Sequence, residues 1–576
     1  MTHLSRELEN RLRRRLVKLY GKEAAPDLLR RFRMMLGRYG ITAKEGSKSR
    51  WSERDTMLIT YADSLQDGNK APLSVLHQFL KEEVEEAIEI VHLLPFFPWS
   101  SDDGFSVIDY RKIDSTCGTW SDIEKLGEDF DLMFDFVLNH CSRKNQWFRD
   151  FVIGVAPARD YFVTADPDAD FSEVVRPRSS ELLTKTPTRN GDKWVWTTFS
   201  SDQVDLNWKN PDLLFEFLDI LFLYLSKGSR FLRLDAVAFL WKKIGTDCLH
   251  LPETHEVVKL FRDVLNIVSP DSILLTETNV PHEENLSYFG KGDEAHMVYN
   301  FSLPPLVLYG YLKNDSSLLA KWADSLPTLP KGQCFLNFTA SHDGIGVRPL
   351  QGLVGKEDLD WLIDQVRERD GQVSMRAMPD GSESPYELNI SYMEALRVKG
   401  DEQLSTRRFL SSQALMLSMP GIPAIYIHSL LGTPNDLEGL KKLGYNRAIN
   451  RKKWNLQDLK AELNKDGSAQ NINFEQYQSL LKIRREESAF SPGAAFTVLS
   501  TAPGLFAFIR TCPATGTEIL CLYNFLEEEL DLSAQVSETI GLQIKDAHQL
   551  IASETGEGLK MIEPCGFRWL RIQKKQ

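Results

Sequence analysis

Short apolar runs alternate with longer segments of helical spacing through most of the chain. Eight runs have the nearly continuous apolar character of parallel strands that are covered on both faces. They are residues 57–61, 90–94, 131–137, 230–235, 272–277, 297–301, 335–340 and 422–427. Eight such strands with helices between most of them predict an α/β fold, a (β/α)8 TIM barrel, over residues 55–490.

Two connections interrupt the regular spacing of this pattern. Residues 141–229 follow the third run and residues 344–400 follow the seventh. Connections after barrel strands lie on the active-site face, and connections of this length in a compact domain are usually functional. We therefore predict an inserted domain at 141–229 and a long active-site loop at 344–400.

The two ends of the chain follow different patterns. In residues 1–54, leucines such as Leu12 and Leu16 recur at helical spacing, with a predicted break at Pro26. This pattern predicts a helical N-terminal extension packed on the main body, and a partner-binding hairpin is the alternative. Short β-rich runs separated by turn residues predict a C-terminal antiparallel β domain over residues 491–576.

Composition narrows the function classes. The 576 residues carry a net charge of −13 and the pI is about 5.5, so the chain lacks the positive field of a nucleic-acid binder. The sequence has no run of eighteen apolar residues and no apolar signal segment at its start. The seven cysteines are scattered without a C-x-x-C pair. These features predict a cytoplasmic protein with reduced thiols. The sequence does not fix the oligomeric state, and a monomer and a homodimer are the alternatives.

Polar residues stand where four of the predicted strands end. They are Asn139-His140 after the third strand, Arg233 and Asp235 in the fourth, Glu277 after the fifth and His342-Asp343 after the seventh. One such Asp is usually a helix cap. Four polar strand ends meeting at the carboxyl mouth of a barrel instead favour a catalytic site.

The same blocks resemble the α-amylase superfamily (glycoside hydrolase family 13) in order and spacing over roughly residues 56–490. Further stretches are similar to its sucrose phosphorylase subfamily. These are Asp102-Asp103-Gly104-Phe105, Arg176-Pro177-Arg178, Ser341-His342-Asp343-Gly344-Ile345-Gly346-Val347 and Asn446-Arg447-x-Ile449-Asn450-Arg451.

The resemblance implies roles for the strand-end residues. Asp235 is the expected nucleophile, Glu277 the general acid/base, and Asp343 the residue that stabilises the oxocarbenium-like charge. Arg233, two residues before Asp235 in a strand, is expected on the same side and favours the ionised carboxylate. The expected glucose-binding residues are Asp102, Phe105, His140, Arg233, Phe239, His342 and Arg447. For Phe105 and Phe239, packing in the core is the alternative.

The resemblance also implies that phosphate accepts the glucosyl group, with Arg178 and Tyr386 as its ligands. Arg176 is a further phosphate candidate or a scaffold residue paired with a carboxylate. Glu387 stands where sucrose phosphorylases carry Gln, and Arg348 adds a charge beside the acceptor region. This pattern resembles the glucosylglycerate phosphorylase branch, and pairing of Arg348 with a loop carboxylate is the alternative.

The expected reaction is the reversible phosphorolysis of 2-O-α-glucosylglycerate to α-glucose 1-phosphate and glycerate, with no metal or organic cofactor. Asn139 is a calcium ligand in other amylase relatives, but this subfamily does not imply bound calcium. The alternatives are a sucrose or glucosylglycerol phosphorylase and an α-glucosidase that uses water. A non-catalytic amylase-like subunit is disfavoured because Asp235, Glu277 and Asp343 are all present.

Overall fold

A computed structural model describes residues 5–42, 46, 50–378, 382–532, 547–550 and 561–572. Eight parallel strands close into a barrel in which each strand pairs with its neighbours in chain order, so the predicted TIM barrel is confirmed. The strands are β1 (Met57–Thr60), β2 (Ile90–Leu93), β3 (Asp131–Val137), β4 (Ser229–Asp235), β5 (Ile273–Thr276), β6 (Met297–Tyr299), β7 (Cys334–Asn337) and β8 (Ile422–Tyr426).

Helices cover the outside of the barrel and leave its strands almost entirely buried. This double cover explains why the strands read as continuous apolar runs. The longer helices after the N-terminal one are Pro72–Glu83, Trp120–Asp129, Pro211–Ser226, Pro252–Val268, Leu303–Lys313, Lys356–Arg367, Glu402–Ser418 and Ala469–Glu486. Shorter ones are Gln146–Ile153, His282–Leu286, Ser317–Asp324, Tyr392–Ala395, Ile427–Leu430, Leu437–Leu443 and Leu456–Leu463.

Both long connections carry strands of their own. After β3, His140–Ser142 pairs with Gln203–Asp205, and Leu183–Thr188 forms a hairpin with Gly191–Trp196. After β7, the strands Ile345–Gly346, Glu383–Asn389 and Gln372–Ala377 form a three-stranded antiparallel sheet. We call the last two strands the acceptor hairpin. Its residues 379–381 lie outside the described part of the chain.

The N-terminal helix (Arg6–Arg38) packs on the helices Pro252–Val268 and Pro211–Ser226. Its apolar residues Leu12, Leu16 and Phe32 are buried in the same core as the barrel, which matches packing on the main body. The break lies at Gly21 (φ 86°), not at Pro26 as the sequence predicted. Pro26 lies five residues beyond that break, inside helical backbone.

The predicted C-terminal antiparallel sheet is confirmed. Its order is Ala495–Val498, Leu505–Thr511, Glu518–Asn524, Phe567–Ile572 and Ala547–Gln549. Short strand pairs elsewhere are Leu65–Gln66 with Trp454–Asn455, and Leu530–Asp531 with Met561–Ile562. The domain boundaries given above stay a prediction. Within the described residues, no helix is both long and apolar enough to span a bilayer.

Replacing Phe32 with alanine should destabilise the protein because the buried ring fills the contact between the N-terminal helix and the barrel helices. We expect the free energy of unfolding in urea to fall by about 3–5 kcal/mol. Met34→Ala, on the exposed side of the same helix, should change it by less than about 0.5 kcal/mol. Equal stability of the two variants would show that the helix is not docked.

Candidate active site

One pocket opens at the carboxyl ends of the barrel strands, and most of the predicted site residues line it. They are Asp102, Phe105, His140, Arg178, Arg233, Asp235, Phe239, Glu277, His342, Asp343, Tyr386, Glu387 and Arg447. The register explains this convergence. β4 pairs with β3 on one side and with β5 on the other, so residues at the ends of all three strands reach the same space.

Arg233 is the electrostatic centre of this pocket. Its Nη1 donates a hydrogen bond to Asp235 Oδ1 at 2.7 Å and a second one to Asp135 Oδ1. Its Nη2 lies 3.9 Å from Glu277 Oε2. Burial alone would lower the pKa of Arg233, but the surrounding acidic groups raise it well above the ordinary value. The predicted approach of Arg233 to Asp235 is confirmed.

Asp235 and Glu277 both have raised pKa values. Burial raises the pKa of both carboxyl groups, Arg233 opposes this, and the charge of Glu277 raises the pKa of Asp235 further. The direct hydrogen bond from Arg233 favours the ionised form of Asp235. Within the described residues, Glu277 accepts a hydrogen bond only from the backbone N–H of Ala236, at 2.9 Å. Glu277 is therefore the better candidate to hold a proton, and Asp235 to carry the charge.

Asp343 is held in the ionised form by two arginines. Arg447 Nη1 lies 2.6 Å and Arg451 Nη2 3.7 Å from Asp343 Oδ1. Burial would raise the pKa of Asp343, but these guanidinium groups hold it below its usual range. Asp343 therefore presents a fixed negative charge in the same pocket as Asp235 and Glu277.

Arg447 connects three parts of the site. Besides Asp343, it lies 3.7 Å from Asp102 and forms a bidentate pair with Glu387, with bonds of 2.6 and 3.1 Å. Asp102 follows β2 and Glu387 belongs to the acceptor hairpin. One guanidinium group thus ties a pocket wall to the hairpin that covers the pocket.

The part of the pocket wall next to Asp102 combines two rings and an amide. Phe105 stacks on His342, with ring centroids 4.9 Å apart and an interplanar angle of 7°. Gln203, from the inserted segment, donates to Asp102 Oδ2 at 3.2 Å and lies 3.2 Å from His140 Nε2. Flat apolar faces flanked by hydrogen-bonding groups suit a single sugar ring.

Arg178 and Tyr386 face each other on the outer side of the pocket. The guanidinium carbon of Arg178 lies 5.2 Å from the centre of the Tyr386 ring. Among the described residues, no carboxylate forms an ion pair with Arg178 within 4 Å. An unpaired guanidinium beside a hydroxyl group is suited to an anionic ligand.

Two predicted site residues do not line this pocket. Arg176 lies in a neighbouring cleft, where it is joined by Arg376. Arg348 is buried behind the pocket wall and donates to the carbonyl oxygen of Asn279 at 3.4 Å. Neither forms an ion pair with a carboxylate in the described ranges. Asp380, a candidate loop partner for Arg348, lies outside the described residues.

Several residues of the site were not singled out from the sequence. His92 and Asp135 hold Arg233 in place, since His92 Nε2 lies 2.7 Å from Asp135 Oδ2. Arg451 supports Asp343, and Gln203 supports Asp102. Arg451 stands inside a quoted motif, and Asp135 and His92 stand inside two of the predicted strands, so a signal existed for these three. Gln203 had none, because it lies in the inserted segment outside every quoted motif.

The ammonium group of Lys242 is buried beside Asn139. Lys242 Nζ donates to Asn139 Oδ1 at 2.7 Å, lies 2.6 Å from Asp205 Oδ2, and also donates to the Phe239 carbonyl oxygen. Asn139 in turn donates to Asp205 at 3.1 Å. The oxygen atoms of Asn139, Asp205 and Phe239 at this position thus have the Lys242 ammonium group as their partner. Among the described residues, no group of three His, Cys, Asp or Glu side chains is arranged to hold a metal ion.

Lys242→Met should destabilise the protein, because it leaves Asp205 buried without its counter-charge. Removal of one partner of a buried ion pair costs about 3–5 kcal/mol, and we expect a loss of unfolding free energy in that range. Lys243→Met changes the exposed neighbour and should be nearly neutral. Urea unfolding of both variants tests this, and a neutral Lys242→Met would contradict a structural role for the ammonium group.

Comparisons with known proteins agree with this geometry. The family model for the α-amylase catalytic domain matches residues 83–329. A glucosylglycerate phosphorylase of Spirochaeta thermophila is 44% identical over 96% of this chain and 94% of its own length. Another from Escherichia coli is 44% identical over 83% of this chain and 86% of its own length.

A solved structure also matches. The crystal structure of sucrose 6F-phosphate phosphorylase from Thermoanaerobacter thermosaccharolyticum superposes with a TM-score of 0.72 and 27% identity, covering 82% of this chain and 94% of that one. Fold, pocket and sequence similarity over nearly the whole length therefore point the same way. The chain belongs to the α-amylase superfamily and, within it, to the family that contains the glucosylglycerate phosphorylases.

Proposed function

We propose that this protein is a retaining glycoside phosphorylase that converts 2-O-α-glucosylglycerate and phosphate to α-glucose 1-phosphate and glycerate, reversibly. The observation that carries the proposal is that one pocket contains both the Asp235–Glu277 pair and the unpaired Arg178. The pair suits a double displacement, and the arginine suits phosphate. The names of the relatives with 44% identity support glycerate as the natural acceptor.

In the first step, ionised Asp235 attacks the anomeric carbon while Glu277 donates its proton to the leaving glycosidic oxygen. Glycerate departs, and a β-glucosyl ester of Asp235 forms. Glu277 is then ionised, and its charge is compensated in part by Arg233. Asp343 lies close enough to its two arginines to stay ionised throughout and stabilises the oxocarbenium-like transition state.

In the second step, a phosphate oxygen attacks the same carbon from the side that glycerate left. Glu277 takes up the proton of the attacking phosphate and returns to its starting state. Two inversions at one carbon give net retention. Arg178 and Tyr386 are the proposed phosphate ligands, because both line the pocket and neither belongs to the Asp343 network. Cytoplasmic location and a monomeric or homodimeric state remain proposals from the sequence.

Incubation of the purified protein with phosphate and each candidate glucoside tests the substrate assignment. We expect glucose 1-phosphate from glucosylglycerate, and much less from sucrose or glucosylglycerol. Release of glucose 1-phosphate from sucrose alone would contradict the glycerate assignment. Release of free glucose in ample phosphate, without glucose 1-phosphate, would indicate an α-glucosidase instead.

The proton on Glu277 predicts a pH dependence. Because burial raises the pKa of Glu277, the acid form should persist above the ordinary range of glutamate and be lost as the pH rises through the raised pKa. Thus kcat/KM for glucosylglycerate should show an alkaline limb. With α-glucosyl fluoride the limb should be absent, because fluoride leaves without a proton. An identical alkaline limb for both substrates would assign it to another group.

A further inference from the structure

The acceptor hairpin carries a second arginine on the side away from the sugar pocket. Its strand Glu383–Asn389 places Tyr386 and Glu387 in the pocket wall. On the partner strand Gln372–Ala377, Arg376 pairs in register with Ser384. Arg348 stands in the turn Arg348–Leu350, which follows the strand Ile345–Gly346 of the same sheet. Arg376 therefore lies across the hairpin from Ser384, and Arg348 follows Val347, whose N–H group donates to the carbonyl oxygen of Tyr386.

Both guanidinium groups are buried, and neither has a counter-charge among the described residues. Arg348 and Arg376 are each 8% exposed, and the Nε atom of each is buried without a hydrogen-bond acceptor. In the described part of the chain, no carboxylate forms an ion pair with either. A buried charge without a partner is costly. Two such charges in one region are retained most readily where an anionic ligand compensates them.

The two arginines and Tyr386 are close enough to influence one another. Burial lowers the pKa of Arg376, and the charge of Arg348 lowers it further, while Tyr386 opposes this. Burial raises the pKa of Tyr386, against the charges of Arg178 and then of Arg348. The charge of Arg348 thus acts on both Arg376 and Tyr386, and Tyr386 in turn acts on Arg376.

We propose that Arg376, together with Arg348, gives the acceptor site its selectivity for a carboxylate-bearing acceptor, by the positive field that the two buried guanidinium groups place behind Tyr386. This inference rests on the proposed function and deepens it, because it names the source of acceptor selectivity. Arg376 acts as a specificity-determining residue without lining the sugar pocket itself.

Phosphate and glycerate, the two anionic acceptors, carry their charge at different distances from the anomeric carbon when they are bonded to glucose. In glucose 1-phosphate, the charged oxygens sit on the atom bonded to the transferred oxygen. In glucosylglycerate, one more carbon lies between that oxygen and the carboxylate. The carboxylate charge therefore lies about one bond length further from the anomeric carbon. Arg178 lines the pocket and suits the nearer anion, whereas Arg348 and Arg376 lie further out and suit the more distant one.

The test measures synthesis from glucose 1-phosphate with D-glycerate or with neutral glycerol as acceptor. Removal of the charge in Arg376→Gln should raise the KM for glycerate about 10-fold or more, since a unit charge several ångströms away in a partly buried site has an effect of this order. The KM for glycerol should stay within about 2-fold. Arg376→Lys keeps the charge and should keep the KM for glycerate within about 3-fold of the wild type.

Two further measurements make the result specific. Exchange of labelled phosphate with glucose 1-phosphate requires the glucosyl-enzyme but no glycerate, so Arg376→Gln should leave the KM for phosphate within about 3-fold. Arg367→Gln, on the exposed face of the preceding helix, is the matched control and should change none of these values. Far-UV circular dichroism of each variant checks the fold.

An unchanged KM for glycerate in Arg376→Gln, an equal rise for phosphate and glycerate, or a loss in Arg376→Lys as large as in Arg376→Gln would each overturn this inference. Failure of the proposed function looks different. In that case the wild-type protein itself would not exchange phosphate with glucose 1-phosphate, whatever the residue at position 376.

Discussion

The site depends on one buried guanidinium group, that of Arg233, which faces three carboxyl groups. Asp135 on β3 accepts a hydrogen bond from Arg233, Asp235 lies on the same strand as Arg233, and Glu277 follows β5. Burial would otherwise favour the neutral form of every one of these carboxyl groups. Arg233 opposes this effect at Asp235. In the proposed double displacement, Arg233 is the group that favours the ionised form of Asp235 while Glu277 holds the proton.

The rest of the fold keeps this arrangement in place. The barrel brings β3, β4 and β5 side by side. Asp135, Arg233 and Glu277 are therefore close to one another on adjacent strands. The inserted segment is tied to the barrel by Lys242, which joins Asp205 to Asn139. Arg447 ties the acceptor hairpin to Asp343. Each of these contacts joins a loop to a rigid strand end, which is what precise placement of a sugar ring requires.

The sequence predicted the barrel, and it predicted which strand-end residues meet in one pocket, for physical reasons. Parallel strands buried on both faces leave long apolar runs, and residues at their carboxyl ends must converge, so Asp235, Glu277 and Asp343 were accessible to pattern analysis. The acceptor side was less so. Arg348 and Arg176 were expected near the ligands, but the structure places them behind the pocket wall and in a neighbouring cleft. Arg376 was overlooked because a side chain on a hairpin strand has no motif, and only the tertiary packing shows its neighbours.

The break in the N-terminal helix shows a different limit. The local pattern predicts the break at Pro26, yet Gly21 adopts the non-helical conformation, and Pro26 is accommodated in helical backbone five residues further on. A local rule chose the wrong residue because two breakers stood five positions apart in the same segment. Such a choice depends on how the two helical halves pack on the barrel, which a local pattern does not contain.

The central claim is that Asp235, kept ionised by Arg233, becomes covalently glucosylated. Glu277→Gln treated with α-glucosyl fluoride tests this directly, because glucosylation then needs no acid and turnover of the intermediate is slow. Intact-protein and peptide mass spectrometry should show one added glucosyl unit, on the peptide that contains Asp235. The adduct should be absent from the Asp235→Asn, Glu277→Gln double variant. A glucosyl unit on another residue, or an unchanged adduct in the double variant, would contradict the account.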